Sequence, residues 1–386
     1  MTQTSAKSFL VSLVGLLILI GCNVTASRQP SSSSRSETDQ SAQTAADAGR
    51  KLFPVRQNGK HGYISRTGEM AIPPQFDYAE DFSEGMAAVA IKSGDQIIDG
   101  INRPVADLMW GFINEAGNVV VPERFTRVGR FSEGLAWVEI ADKHGSSEFG
   151  MNKHGYIDKN GKMVIAPQFP FQFDPHGIDD GTADFKEGLA VVKRGKKRGY
   201  IDKTSKIAIT PHFDEAGSFS EGLAAISIGK KYGYIDDTGR IVVEPQFDFA
   251  TTFSDDGMAL IGIGTGWAYA SKAGEIILRP KYGQPSPFSE GLSAVKTDLG
   301  AGYINNQGNL VIEVQAATAG SFSEGMAIVS IDGKNGYIDK TGTLVIKPQF
   351  VWAEKFSGGL AKVHPRTMDE YGYIDKAGKY VWQPSR

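Results

Sequence analysis

Cysteine is all but missing. Cys22 is the only one, so neither an intrachain disulfide nor a thiolate metal cluster can form. An excess of one charge is missing too: 41 Lys+Arg stand against 44 Asp+Glu, net -3. That balance speaks against a nucleic-acid binder, whose affinity leans on a basic surface. No apolar run reaches the ~20 residues of a membrane span. The six histidines, His61, His144, His154, His176, His212 and His364, show no common metal-ligand spacing. No phosphate-cradling glycine loop and no Gly-x-Ser-x-Gly elbow occurs. The sequence therefore predicts no catalytic residue, no metal and no cofactor. What it has in abundance is glycine, 46 of 386 residues, with 41% apolar content. There is no Gly-X-Y period, so collagen is excluded, and the apolar content excludes global disorder. A fold with many turns is indicated.

The first residues carry one charge, Lys7, then an apolar run from Phe9 to Ile20 broken by Ser12 and Gly15. This is the layout of a signal peptide. Leu19-Ile20-Gly21-Cys22 resembles the bacterial lipobox. The resemblance implies cleavage before Cys22, lipidation of its thiol and amine, and a stable membrane anchor. Asn23 rather than Asp follows the cysteine, which points to the outer membrane and a periplasm-facing position in the bacterial cell envelope. Up to residue 50 the chain has no aromatic residue and is rich in Ser, Thr, Gln and Ala, the composition of a flexible tether. The expected organisation is a signal peptide over 1–21, a lipidated cysteine and tether over 22–50, and one folded unit over 51–386.

From residue 51 the chain repeats itself. A small residue followed by an aromatic recurs at Gly62-Tyr63, Gly111-Phe112, Gly155-Tyr156, Gly199-Tyr200, Gly233-Tyr234, Ala268-Tyr269, Gly302-Tyr303, Gly336-Tyr337 and Gly372-Tyr373, nine copies. The later copies are 34 to 36 residues apart; the first three intervals are longer. Each copy reads as three strands. After the second comes a turn opened by Asp158, Asp202, Asp236, Asp339, Asp375 or a Ser or Asn, and closed three residues on by Gly. Such a glycine supplies positive φ in a type I turn with a bulge. Only Ser205 departs. The third strand ends at Pro, which suits an edge or bulge. In the first strand one face is uniformly apolar, as in Ala136/Val138/Ile140 and Ala224/Ile226/Ile228, and is assigned to the core. The other face varies, with Trp137, Val191, Ala225 or Lys362 at its centre and Glu139, Ser227 or His364 beyond. A variable face predicts a surface, or a binding surface.

The motif Gly-Tyr-Ile-Asp-x-x-Gly-x-x-Val-Ile-x-Pro-x-Phe, followed by Phe-Ser-Glu-Gly-Leu-Ala, resembles the bacterial WG-repeat (KWG) family over nearly all of 51–386. The Trp of that name stands only at Trp110 and Trp267; His61, His154, Arg198, Tyr232, Ala301, Asn335 and Tyr371 replace it elsewhere. The family resemblance implies a non-catalytic repeat protein. The hairpins also resemble cell-wall-binding repeats, in which aromatics on successive hairpins form ligand sites. Serines and glutamates of Phe-Ser-Glu-Gly recur too often to be a nucleophile or an acid–base pair, which need one unique environment.

The expected fold is all-β, a tandem array of nine meander units. Nine exceeds the 4–8 blades usual for a propeller, so the preferred form is an open solenoid or superhelix, with a closed β-propeller as the alternative. The expected function is a membrane-tethered binding or scaffold module for protein partners, with a peptidoglycan or glycan ligand as the alternative. The candidate binding surface comprises Trp110, Trp137, Glu139, Trp267 and Lys362. Insertions at 92–109 and 141–153 fall on one side of the array, often the binding side. The cluster Asp174, Asp179, Asp180 and Asp184 reads as a solvated acidic loop.

Overall fold

The computed structural model describes residues 51–92, 96–98, 101–103, 108–140, 153–170 and 183–385. The segments read as signal peptide and tether, with Cys22, lie outside the described residues. So do most of the acidic loop and most of both insertions, except a hairpin of Gln96–Ile98 and Ile101–Arg103.

Every regular element among the described residues is a β-strand. The repeat at 215–247 shows the unit. A two-residue strand, Glu215–Ala216, pairs with Ala224–Ile228, then Lys231–Ile235, then Ile241–Phe247, all antiparallel and in chain order. The Ser220–Leu223 hairpin has both mutual backbone bonds, Ser220 N–H to Leu223 O at 2.9 Å and the reverse at 3.2 Å. Glu221 and Gly222 have φ of 57° and 81°, the two left-handed positions of a type I′ turn. The Asp236 turn closes with Gly239 at φ 83°, and the Asp236 carboxylate accepts from the N–H groups of Thr238 and Arg240. The Thr238 hydroxyl, the Arg240 guanidinium and those backbone bonds hold its carboxyl down at about 2.

The glycine before the repeated Tyr is a close-approach residue. A Cβ on Gly155 would lie 2.3 Å from Ile165 O and 2.7 Å from Pro167 N, where the third strand bulges inward at its proline. Ala268 is tolerated because its partner strand, Ile276–Leu278, is only three residues long.

Nine such sheets follow one another; the first, of Phe53–Gln57, Lys60–Ile64 and Met70–Phe76, has three strands, as do the fourth and the seventh. Each sheet packs on the next through a buried aromatic ring, Phe112 against Phe131 at 4.9 Å in the second blade and a Tyr in the others. Tyr63, Tyr156, Tyr200, Tyr234, Tyr269, Tyr303 and Tyr337 are fully buried, and each meets a Phe of the following sheet at 4.6–5.0 Å. Such a pair is worth about 0.5–1.5 kcal/mol beyond its buried area. The last sheet packs on the first. Phe53 and Tyr373 meet edge to face at 5.4 Å, and Phe53, Val55, Ile64, Leu360, Tyr371 and Tyr373 share one core. The array is therefore closed, a nine-bladed β-propeller. The open solenoid expected from the copy number is wrong: blade count does not bar closure when first and last sheets carry complementary faces.

Closure also corrects the two-faced reading of the first strand. In a propeller each sheet lies between two others, so both faces are covered. Ala225 and Ser227 are buried along with Ala224 and Ile226, whereas Ile228, on the supposed core face, is 38% exposed at the strand end.

Candidate binding face

The strands run between two rims. One rim carries the Asp-x-x-Gly turns and Phe-Ser-Glu-Gly hairpins. The other carries the loops between first and second long strands, the Trp position, and the two-residue strand that enters six of the blades.

The turn rim is a ring of staples. Glu84 of blade 2 accepts from the N–H groups of Glu133 and Gly134 in blade 3, at 2.6 and 2.9 Å, and Lys159 of blade 3 pairs with it at 3.3 Å. The same relation links Glu133 to Gly188 and Lys203, and Glu290 to Gly325 and Lys340. Serine adds to it: Ser83, Ser132, Ser220, Ser289 and Ser323 each donate to the Phe carbonyl of the next hairpin. These repeated polar groups hold blades together, which is why they recur.

The other rim carries the differences between copies. His61 and Tyr78 lie 5.4 Å apart across blades 1 and 2, and Tyr78 meets Trp110 edge to face at 5.6 Å. At the same positions farther round, Tyr232 faces Phe249 at 6.3 Å and Phe249 faces Trp267 at 5.7 Å, while Arg198 and Glu215 form an ion pair at 3.1 Å. Tyr78, Phe249, Trp267 and Trp352 are 39–50% exposed. The described ends of both insertions, at Leu108 and Lys153, stand on this rim.

Two cavities open between blades here. One, about 490 Å³, lies at the seam of blades 9, 1 and 2; the other, about 580 Å³, lies between blades 2 and 3 and is lined by Trp110, Arg130 and Trp137. Glu80 and Asp81 line both. Enclosure pushes the Glu80 carboxyl up and adjacent Asp81 adds to this, with Lys362 opposing. Burial pushes His61 and His364 down.

The structure separates the residues predicted for a binding surface. Trp110 and Trp267 sit in the aromatic rows, and Lys362 lines the seam cavity, 4.5 Å over the Tyr371 ring and 3.7 Å from Glu354. Trp137 and Glu139 are each only 2% exposed, so the open face expected for them does not exist; the blades on either side cover it. Asp184 likewise leaves the solvated cluster: it is buried and pairs with Arg130 at 3.0 Å. Sequence reading missed Glu80, Asp81 and Arg56. The signal was the dipeptide before each Phe-Ser-Glu-Gly, which changes from Glu80-Asp81 to Gly129-Arg130, Gly217-Ser218 and Glu354-Lys355.

A family model described as "WG containing repeat" matches eight segments, 62–93, 110–143, 155–174, 199–232, 232–264, 267–298, 302–334 and 336–363. The chain belongs to the WG-repeat family. The ninth blade, from Trp352 to Ser385, extends past the last matched segment. No curated protein matches this WG-repeat chain in sequence. Among solved structures it is similar to a eukaryotic initiation factor, at 12% identity over 87% of this chain and 95% of that one, with a TM-score of 0.56. A likeness to the dihydro-heme d1 dehydrogenase NirN, 12% identical over 86% of this chain and 74% of that one, has a TM-score of 0.43 and carries no argument. At such identities the similarity is one of fold.

Proposed function

We propose that this WG-repeat propeller is a non-catalytic binding or scaffold module of the bacterial cell envelope. It is anchored through lipid on Cys22, in the outer membrane and facing the periplasm, and its ligands are protein partners. The observation that carries the binding role is the concentration of exposed Tyr78, Phe249, Trp267 and Trp352 on one rim. Exposed aromatics with neighbouring Arg are the composition of interface hot spots. The opposite rim spends its polar groups on inter-blade bonds. Photo-crosslinking in intact cells, from Trp352 on the aromatic rim and Arg66 on the turn rim, followed by mass spectrometry, tests it. Protein adducts confined to position 352 support the reading; adducts equal from both positions refute it. The anchor is tested separately: Cys22→Ser abolishes palmitate labelling, since no other cysteine exists.

A second reading, glycan or peptidoglycan binding, is favoured by the Tyr232–Phe249–Trp267 row, which spans two blades. Failure of the folded domain to sediment with purified sacculi removes it.

A further inference from the structure

The seam cavity is built from three different walls. Blade 1 contributes Arg56, whose Nε is buried without a hydrogen-bond partner. Blade 9 contributes His364, 5% exposed, whose Nδ1 is also buried without a partner, together with Lys362 and Tyr371. Blade 2 contributes Tyr78, Glu80 and Asp81. Arg Nε–H can only donate, and a buried donor left unmatched is unfavourable. The basic walls therefore call for an acceptor oxygen. The blade 2 wall calls for the opposite. Neither the Glu80 nor the Asp81 carboxylate forms an ion pair among the described residues, whereas Asp77 is held by Lys60 at 2.9 Å and Glu354 by Lys362. The rings of His61, Tyr78 and Tyr371 complete the lining. About 490 Å³ falls within the range of small-molecule sites.

We infer that the seam cavity binds a free α-amino acid as its zwitterion, with the carboxylate on Arg56, the ammonium on Glu80 and Asp81, and a large side chain against the aromatic rings. A monoanion alone meets the two acids, and a monocation alone meets Arg56 and Lys362, so each half-ligand is rejected by one wall. The site does not depend on a macromolecular partner, and its failure leaves the docking role of the rim untouched.

The folded domain is titrated calorimetrically with L-phenylalanine, N-acetyl-phenylalanine, phenylalanine amide and N-acetyl-phenylalanine amide. L-Phenylalanine gives saturable binding, and each blocked compound binds roughly tenfold or more weakly, as expected when a charge-assisted contact is lost. Arg56→Gln weakens L-phenylalanine to the same extent while leaving phenylalanine amide unchanged. Asp81→Asn weakens L-phenylalanine and leaves N-acetyl-phenylalanine unchanged. Arg56→Lys serves where the Gln variant melts early. Absence of saturable binding for L-phenylalanine, L-tyrosine and L-leucine alike overturns the proposal. So does equal binding of the doubly blocked compound.

Discussion

The Tyr373 hydroxyl donates to Pro54 O at 3.0 Å across the ring seam. Seven equivalent tyrosines, among them Tyr63, Tyr234 and Tyr337, donate instead to a carbonyl of the segment entering the next blade. At the seam the acceptor is moved to the first long strand of blade 1. Pro54 has no N–H to leave unpaired there, and Ser385 Oγ takes the Arg56 carbonyl, so the strand edge is capped against further pairing. Tyr373→Phe should lower stability by about 1 kcal/mol, measured by urea denaturation. A silent substitution would show that this hydrogen bond adds no net stability to the seam.

Ser205 occupies the turn position that is glycine in the other copies and has φ 72°. A left-handed conformation costs a side-chain-bearing residue roughly 1–2 kcal/mol, and only the exposed Gln168–Ser205 bond at 2.8 Å offsets it. Ser205→Gly should raise stability by about 1 kcal/mol. The reverse change, Gly239→Ser, should lower it by more, because a Cβ there would also lie 3.0 Å from Ile209 Cγ2. Thermal melts of the pair decide the sign.

The sequence made the unit legible and hid the assembly. Asp236 to Gly239 announces its turn because backbone geometry demands those residue types locally. Glu133 was readable as structural from its recurrence, but not as a staple, because its partners Gly188 and Lys203 belong to the next copy, 55 and 70 residues onward. Closure was not legible at all. It rests on the meeting of Tyr373, a residue that recurs round the array, with Phe53, and on Ser385, neither of which belongs to the repeated motif, and on rotations between blades that no residue records. The burial of Trp137 follows from the same hidden fact: a sheet with a neighbour on each side has no outer face.

Trp137 is therefore a packing residue first. Its indole lies against Gly129, where a Cβ would be 2.1 Å from Nε1, and against His154 at 6.5 Å. Trp137→Ala should destabilise by about 3–5 kcal/mol. Gly129→Ala should also destabilise, since no space exists for its methyl. A melting temperature unchanged in Trp137→Ala would show the ring to be solvent-facing after all.

His154 supplies a pH dependence with a definite sign. Burial among Trp137, Tyr156 and Phe169 lowers its pKa from 6.5 to about 4. Between those values the unfolded chain binds the extra proton, so stability rises with pH through that window and is lost as pH falls from 6.5 toward 4. The loss should be on the order of 2–3 kcal/mol. His154→Phe should flatten this part of the curve in denaturation series at pH 7, 6, 5 and 4. An unchanged slope in the variant would assign the effect to other groups.

The staple ring breaks at the seam, and the break can be mended. Gly358 stands where Glu84, Glu133, Glu290 and Glu324 stand in other hairpins, and Arg66 where Lys159, Lys203, Lys340 and Lys376 stand in other turns. Among the described residues Arg66 has no carboxylate partner, and its guanidinium lies against Gly359. The backbone already suits a glutamate: Gly358 has φ 64°, close to 53° at Glu84 and 54° at Glu324. The obstacle is Lys51, whose Cδ would lie 2.4 Å from the new Cβ, and a lysine stem can move. Gly358→Glu should therefore pair with Arg66 and stabilise by up to about 1 kcal/mol, the ceiling for an exposed ion pair. In the existing staples, partial burial raises the Glu84 and Glu133 carboxyls, but backbone N–H groups and lysine outweigh it and hold both below 4.5. A new staple should behave likewise, present above that value and lost as pH falls through the lowered one. The gain of Gly358→Glu should thus be seen at pH 7, shrink with added salt, vanish in acid as the carboxylate is protonated, and disappear in the double variant with Arg66→Ala. A gain that survives Arg66→Ala would show that it does not come from the pair.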